Sequence, residues 1–252
     1  MTPRSGIFAR RVDPGPAARG RLRGAVFLTA LGVLVAWPGG AAAGAEDSRA
    51  KAGAVAAPFK ILAFGDSLTH GYGLAAGQTF PAQLEAALKG RGLDVRVING
   101  GNSGDTTAAG RARLEWALAD RPDIVLVELG GNDGLRGIEP AATYGNLDAI
   151  LARLEAEGVA VLLAGMLAPR NLGADYAAEF DAVFPRLAAQ HQVMFYPFFL
   201  DGVAMDPALN QPDGIHPNDA GVKVIVEGIL PSVLRLIEDL GAGGSGRSGP
   251  GG

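Results

Sequence analysis

The chain has 252 residues, of which 48% are hydrophobic and 19% are charged, and its formal net charge is −4. This length suits one domain of ordinary size, and the apolar fraction excludes a chain that is disordered throughout. The sequence contains no cysteine, which excludes disulfides, thiolate metal ligands and a cysteine nucleophile.

The first 45 residues have the order of a secretory signal peptide. A leader with six arginines precedes the apolar run Ala25–Trp37, and small residues follow as far as Ala45. The run is too short to span a bilayer comfortably, since about 20 residues are needed, and Ala43 with Ala45 provides an A-x-A cleavage pattern. The pair Arg10-Arg11 is compatible with twin-arginine export, and an uncleaved anchor is the alternative. We therefore expect an exported protein, periplasmic or secreted.

Removal of that segment changes the charge of the chain. Residues 46–252 hold 16 basic and 25 acidic side chains, a formal charge of −9. A surface this acidic disfavours nucleic acid and anionic membranes as partners. We expect no stable membrane insertion after signal removal, and the sequence carries no indication of oligomeric state.

The remaining chain is predicted to form one domain. Residues 46–58 are a linker of small residues, and residues 241–252 are a Gly/Ser-rich tail that we expect to be disordered. Between them, residues 59–240 alternate predicted strands with predicted helices. This alternation indicates a parallel sheet that is covered on both faces.

The predicted strands are short apolar runs, typical of strands buried on both faces. They are Lys60–Phe64, Asp94–Ile98, Ile124–Leu129, Val159–Ala164 and Val193–Tyr196. The predicted helices are Phe80–Lys89, Thr106–Ala119, Tyr144–Glu157 and Ala174–Gln190, with a last one whose apolar residues repeat every three or four positions from Val222 to Ile237. Pro231 is expected to kink this last helix or to start a second one.

A small polar turn follows the first predicted strand. Gly65-Asp66-Ser67 comes directly after the apolar run Ile61–Phe64. A hydroxyl is thus placed just past the carboxyl end of an inner strand, where open α/β sheets carry their sites. Serine is also a common helix N-cap, and the triplet alone favours that structural interpretation.

Three later blocks change this interpretation. Gly104 lies in NSGDT, Asn132 lies in GGND, and Asp213 with His216 lies in DGIHP. Together with the Ser67 turn, these blocks appear in the order of the SGNH/GDSL hydrolase superfamily. The chain resembles this superfamily and, within it, the bacterial arylesterases of the periplasmic thioesterase/lysophospholipase type.

The resemblance covers about residues 59–240 and implies both a fold and an activity. The implied fold is a single-domain α/β structure, a three-layer αβα sandwich with a flavodoxin-like, five-stranded parallel sheet. The implied activity is hydrolysis of carboxylic esters through an acyl-enzyme on Ser67. Aryl esters, short and medium acyl esters, acyl thioesters and lysophospholipids are the candidate substrates, and no cofactor or metal is implied.

Each motif residue has a candidate role in acyl transfer. Ser67 is the nucleophile, and His216 is the base that removes its proton. Asp213 lies three residues before His216, a spacing that lets the carboxylate reach the imidazole Nδ1. The backbone N–H groups of Ser67 and Gly104 and the side-chain amide of Asn132 are the expected oxyanion donors.

Other polar residues near the motifs are interpreted as structural. Asp66, Asp105 and Asp133 each adjoin a motif residue, and we expect them to cap helix starts and to hold loop amides. His191 is expected at the surface of a helix end. His70 is expected to face away from the hydroxyl or to line the cleft.

Two alternative functions stay open. The same site would serve a polysaccharide O-deacetylase, although few aromatic residues stand near the motifs for sugar stacking (Tyr72 and Trp116). A catalytically silent, exported binding module is the other alternative, which the complete set of site residues disfavours. A nucleotide-binding domain is a third possibility, and it is disfavoured because no phosphate-binding loop follows any of the predicted strands. Four apolar segments either line an acyl pocket or belong to the core: Met166, Leu167, Leu172 and Phe198–Leu200.

Overall fold

The computed structural model describes residues 58–244 of the chain. The predicted signal peptide, the expected linker except Pro58, and residues 245–252 of the expected tail lie outside the described residues. Among the described residues, five parallel strands form one sheet in the order β2-β1-β3-β4-β5. They are β1 (Phe59–Gly65), β2 (Val95–Gly101), β3 (Ile124–Glu128), β4 (Ala160–Ala164) and β5 (Met194–Tyr196). The predicted five-stranded flavodoxin-like sheet is therefore confirmed.

Helices cover both faces of the sheet. They are α1 (Ser67–His70), α2 (Phe80–Lys89), α3 (Thr107–Leu118), α4 (Gly131–Leu135), α5 (Pro140–Ala156), α6 (Ala174–Asp181), α7 (Val183–His191) and α8 (Asp219–Gly244). Short 3₁₀ helices occupy Ala76–Gln78 and Arg170–Leu172. Helix α2 packs against α8, whereas α5 packs against α3 and α7. These two groups are the outer layers of the sandwich, as right-handed crossovers between parallel strands require.

The inner strands are apolar because both of their faces are covered. Residues Ile61–Phe64 of β1 are fully buried, and every residue of β3 is buried. The one charged residue in these buried runs is Glu128, the last residue of β3. In the parallel register Gly65 lies opposite both Gly101 and Glu128. The carboxyl ends of three strands thus meet beside the Ser67 turn.

The helices differ from prediction at several places: α1 and α4 were not predicted, and α5 begins at Pro140 instead of Tyr144. The helix predicted over residues 174–190 is two helices, because Pro185 has no N–H to donate to the carbonyl of Asp181 and the hydrogen-bond ladder of α6 cannot continue. Pro231, in contrast, lies inside α8 and does not start a second helix. Buried residues on either side of it, among them Ile229 and Val233, hold α8 against the sheet. Helix α8 continues to Gly244, beyond the predicted end of the domain at residue 240.

No helix among residues 58–244 combines the length and the hydropathy that crossing a bilayer requires.

Candidate active site

The turn after β1 presents Ser67 as the first residue of α1. Asp66 is the N-cap of this helix, and its Oδ1 accepts a hydrogen bond from the Leu68 N–H at 3.0 Å. Gly65 is required here because a Cβ at this position would lie 2.2 Å from Thr69 Oγ1 and 2.3 Å from Glu128 Oε2. The turn is therefore packed tightly from below, while Ser67 itself stays half-buried at the surface of the cleft.

The structure brings Ser67, His216 and Asp213 into one chain of hydrogen bonds. Ser67 Oγ lies 2.9 Å from His216 Nε2, and His216 Nδ1 lies 2.7 Å from Asp213 Oδ2. The other oxygen of Asp213 accepts hydrogen bonds from the backbone N–H groups of His216 and Ile215 at 3.0 and 2.9 Å. These bonds from the backbone and the ring of His216 and from Ile215 lower the pKa of Asp213 to about 2. Asp213 is thus a carboxylate at every pH at which the protein is expected to work.

The loop that carries His216 is tied to the segment after α1. Gln211 Nε2 donates to the carbonyl oxygens of Tyr72 and Pro217 at 2.7 and 3.0 Å. The ring of Tyr72 packs on the imidazole of His216, with the ring centroids 4.7 Å apart and the planes at 38°. Two chain segments more than 130 residues apart are therefore joined beside the Ser67–His216 contact.

The two other predicted oxyanion donors lie on the loops that follow β2 and β3. Gly104 has φ +87°, a conformation that favours glycine, and its carbonyl accepts a hydrogen bond from Arg136 Nη2 at 2.9 Å. Asn132 lies in α4, and its Nδ2 donates to Asp66 Oδ2 and to the Asp105 carbonyl, both at 3.0 Å. The side-chain amide of Asn132 is thus held in place by hydrogen bonds to two neighbouring loops.

The acidic residues beside the motifs make structural contacts, and one of these contacts, an ion pair of Asp105, was not expected from the sequence. In addition to capping α1, Asp66 holds the amide of Asn132. Asp105 forms an ion pair with Arg113, with 2.5 Å between Oδ2 and Nε. Asp133 accepts hydrogen bonds from the backbone N–H and the hydroxyl of Thr107 at 2.8 and 2.5 Å. These contacts join the loops after β1, β2 and β3.

Two neighbouring carboxyl groups under the turn have raised pKa values. Burial is the main cause for both. It raises the pKa of Asp66 to about 6, against the opposing effect of hydrogen bonds from Leu68 and Asn132. The pKa of Glu128 is raised well above its ordinary value by burial and by the charge of Asp66. Sequence reasoning missed Glu128, although an acidic residue that ends an otherwise apolar strand was a usable signal.

The two remaining histidines lie outside this chain of hydrogen bonds. His70 is exposed at the end of α1, and its carbonyl accepts a hydrogen bond from Asn99. The expectation that His191 lies at the surface is wrong, because only 8% of its side chain is exposed. Its Nε2 lies 2.8 Å from Asp148 and its Nδ1 lies 3.6 Å from Glu155, since the end of α7 packs over α5.

Several large apolar side chains are exposed on the segments that follow the carboxyl ends of the strands. Among the described residues, the exposed large apolar side chains on the loops and short helices at the carboxyl edge of the sheet include Tyr72, Leu135, Leu167, Leu172 and Ile215. Met166 and Phe199, in contrast, are buried in the core. Of the residues that the sequence left undecided, Leu167 and Leu172 are therefore exposed, whereas Phe198 and Leu200 are half-buried. Residues 58–244 contain no cluster of three or more His, Asp or Glu side chains placed to hold a metal ion.

Comparisons with known proteins find a matching family and several similar proteins. Residues 63–224, which include all four motif blocks, match the model of the GDSL-like Lipase/Acylhydrolase family. Esterase TesA of Pseudomonas aeruginosa is 42% identical over 183 residues, which cover 72% of this chain and 91% of that protein. Thioesterase 1/protease 1/lysophospholipase L1 of Escherichia coli (strain K12) is also 42% identical over 183 residues, covering 72% and 86%. The crystal structure of AlinE4, a SGNH-hydrolase family esterase, has 47% sequence identity and a TM-score of 0.61 and covers 71% of this chain and 96% of that one.

Proposed function

The chain belongs to the GDSL-like lipase/acylhydrolase family and is a hydrolase of carboxylic esters, and we propose that its acyl-enzyme forms on Ser67. One observation carries this proposal: the unbroken contacts from Ser67 Oγ to His216 Nε2 at 2.9 Å and from His216 Nδ1 to Asp213 Oδ2 at 2.7 Å. A serine hydroxyl is a weak nucleophile until a neighbouring base takes its proton. His216 is in position to do so.

The reaction then proceeds in two halves. Ser67 Oγ attacks the ester carbonyl while His216 Nε2 takes the hydroxyl proton, and Asp213 stabilises the resulting imidazolium. Collapse of the tetrahedral intermediate breaks the ester bond, and His216 returns the proton to the departing alcohol oxygen. Water then repeats the same steps on the acyl-enzyme, which releases the carboxylic acid and restores Ser67.

The oxyanion of each intermediate is bound by the N–H groups of Ser67 and Gly104 and by the side-chain amide of Asn132. The amide is oriented in advance, because Asp66 Oδ2 and the Asp105 carbonyl each accept one of its hydrogens. One of these two hydrogen bonds is shared with the oxyanion when negative charge develops. Donors that are fixed before the reaction need no reorganisation during it, and one such donor is worth about 10²–10³ in turnover.

The substrates proposed for this site are aryl esters and short or medium acyl esters, and they extend to acyl thioesters and lysophospholipids. The exposed side chains of Leu135, Leu167 and Leu172 would contact the acyl chain. An apolar rim suits an acyl chain better than a polysaccharide, which needs hydrogen-bonding groups and stacking rings. The similarity to a thioesterase and lysophospholipase supports the wider substrate range.

We also propose that the protein acts outside the cytoplasm, in the periplasm or as a secreted enzyme. The support is the order of residues 1–45, in which a basic leader is followed by an apolar run and small residues. The net charge of −9 for residues 46–252 agrees with a small-molecule substrate and gives no support to nucleic acid as a partner.

Hydrolysis of p-nitrophenyl esters from acetate to palmitate tests the proposal. Ser67→Ala should reduce kcat by about 10³-fold or more, whereas the control Ser232→Ala, a hydroxyl removed from α8, should keep wild-type kcat. The acyl-chain length that gives the highest kcat/KM then indicates the length of the acyl pocket. Turnover retained by Ser67→Ala would exclude Ser67 as the nucleophile. An inactive wild type would favour the polysaccharide deacetylase or the binding module instead.

A further inference from the structure

Beneath the Ser67 turn lies a carboxyl side chain that the steps above do not use. Glu128 ends β3 and is fully buried. Its Oε2 accepts hydrogen bonds from Thr69 Oγ1 at 2.6 Å and from the Asp66 N–H at 3.3 Å. Its Oε1 has no hydrogen-bond partner among the residues that the structure describes.

The surroundings of Glu128 favour its uncharged form. A buried carboxylate needs a cation or several donors, because otherwise its desolvation is not compensated. A neighbouring titratable side chain is Asp66, itself a carboxyl group, and its charge raises the tendency of Glu128 to hold a proton. The nearby cation, Arg113, is engaged by Asp105 Oδ2 and by the Gly65 carbonyl.

The two donors that Glu128 binds lie on either side of the nucleophile. Asp66 immediately precedes Ser67, and Thr69 follows it by two residues within the single turn of α1. Glu128 also sets how closely the turn can approach the sheet, because a Cβ at Gly65 would meet its Oε2 at 2.3 Å. Thr69 Oγ1 at 2.2 Å and the Glu128 backbone oxygen at 2.6 Å would also meet that Cβ, so the carboxyl group is one of three contacts that require glycine here.

We propose that Glu128 is a positioning residue which, as an uncharged carboxylic acid, holds the Ser67 turn against the end of β3. It acts on the reaction through Asp66 and Thr69 and touches no reacting atom. Because Asp66 Oδ2 also accepts from Asn132, displacement of the turn changes the position of the nucleophile and of one oxyanion donor together. The inference rests on the proposed role of Ser67.

The test compares an isosteric amide with an apolar side chain. Glu128→Gln keeps an uncharged acceptor for both donors, whereas Glu128→Leu removes the acceptor and keeps most of the volume. Leu126→Ala, a fully buried residue of the same strand that makes none of these hydrogen bonds, is the control for loss of stability. Each variant is titrated with a p-nitrophenyl phosphonate so that kcat is expressed per reactive serine, and the melting temperature is measured beside kcat and KM.

We expect Glu128→Leu to lower kcat per reactive serine by about 10–100-fold with KM within about 3-fold, since a small displacement of a reacting group costs rate rather than binding. The kcat of Glu128→Gln should stay within about 3-fold of the wild-type value. Leu126→Ala should have a lower melting temperature than wild type and an unchanged kcat. The proposal would be overturned if Glu128→Leu kept wild-type kcat. It would also be overturned if kcat fell no further in Glu128→Leu than in Leu126→Ala while the two variants had equally lowered melting temperatures.

Two further outcomes are informative. A Glu128→Gln variant as slow as Glu128→Leu would overturn the uncharged state of the side chain. Should Glu128→Leu fail to fold, Thr69→Val takes its place, because it removes the 2.6 Å hydrogen bond alone. An unchanged kcat in that variant would count against the proposal. If the phosphonate does not label Ser67 in the wild-type enzyme, the proposed nucleophile is wrong, which is a different failure from a normal label with an unaffected Glu128→Leu.

Discussion

The carboxyl groups on the two sides of the Ser67–His216 contact have pKa values that are shifted in opposite directions. On the nucleophile side, Asp66 is 2% exposed and burial raises its pKa to about 6. On the base side, the side chain of Asp213 is 36% exposed, and hydrogen bonds from His216 and Ile215 lower its pKa to about 2. Burial favours the uncharged form of a carboxyl group, whereas donors aimed at its oxygens favour the ion.

The difference teaches which carboxyl groups must carry charge. Asp213 faces a ring that becomes a cation during the reaction, so its negative charge is useful at that moment. Glu128 faces a hydroxyl and a backbone N–H, so an acceptor oxygen is sufficient. Replacement of carboxyl by amide, which removes the charge and keeps one acceptor, should therefore have different effects on the two sides.

The largest effect is expected for Asp213→Asn. The amide oxygen can still accept from the backbone N–H groups of Ile215 and His216, so the loop should remain folded. An N–H that faces His216 Nδ1 would instead stabilise the wrong tautomer of the imidazole, and we expect kcat to fall by about 10³–10⁴-fold at neutral pH.

Asp206→Asn is the matched control for that prediction. Asp206 lies on the same loop, and its Oδ1 accepts from the Ala208 N–H at 2.8 Å. Its amide should leave kcat on p-nitrophenyl butyrate within about 2-fold of wild type. If Asp213→Asn is no slower than this control, the charge of Asp213 has no part in the reaction and the contrast between the two sides disappears.

A second prediction concerns the pH dependence of stability at Asp66. The unfolded chain holds this proton with a pKa near the ordinary 3.8, and the folded protein holds it with a pKa of about 6. The folded state therefore binds more protons between these values, and its stability falls as the pH rises from about 4 to above 6. Asp66→Asn has no such proton, so the free energy of unfolding of wild type relative to this variant should fall by about 2–3 kcal/mol over that interval.

Urea unfolding of both proteins at pH 4, 5, 6, 7 and 8 measures this difference. Asp213→Asn provides a comparison of opposite sign when the series is extended to pH 2 and 3. Because the folded pKa of Asp213 is depressed, its contribution is present above about pH 4 and is lost as the pH falls towards 2. A wild-type minus Asp66→Asn difference that is constant from pH 4 to pH 8 would show that burial does not govern the proton of Asp66.

The nucleophile side and the base side were not equally predictable from the sequence. The difference depends on how far apart along the chain the contacting residues lie. The contact of Asp213 with His216 was predictable because three residues separate them within one turn. The five strands were predictable because apolar runs are local features. The environment of Glu128 was not, since it depends on the register that places Gly65 opposite the end of β3. The break before α7 was visible in principle at Pro185, whereas the contact of His191 with Asp148 arises only when α5 and α7 pack.

The smallest effect is expected at Tyr72, whose ring packs on His216 at 4.7 Å. The backbone of Tyr72 is held independently of its side chain, by its N–H on the Ser67 carbonyl at 3.1 Å and by Gln211 on its own carbonyl. His216 becomes a cation during the reaction, and a cation over an aromatic ring at an exposed site is worth about 0.5–1 kcal/mol. Tyr72→Leu should therefore lower kcat/KM on p-nitrophenyl butyrate by about 2–5-fold, whereas Tyr72→Phe, which keeps the ring, should stay within about 2-fold of wild type.

The two Tyr72 variants distinguish two ways in which His216 is oriented, by the hydrogen bonds of Asp213 and by packing against the Tyr72 ring. If the hydrogen bonds of Asp213 alone orient His216, Tyr72→Leu will match wild type, and the base side will depend on charge without help from packing. If both variants lose activity equally, the hydroxyl of Tyr72 is the group that matters and the ring is not. A loss confined to Tyr72→Leu would mean that the half-buried His216, which lacks the close packing found under Ser67, obtains part of its orientation from a single aromatic neighbour.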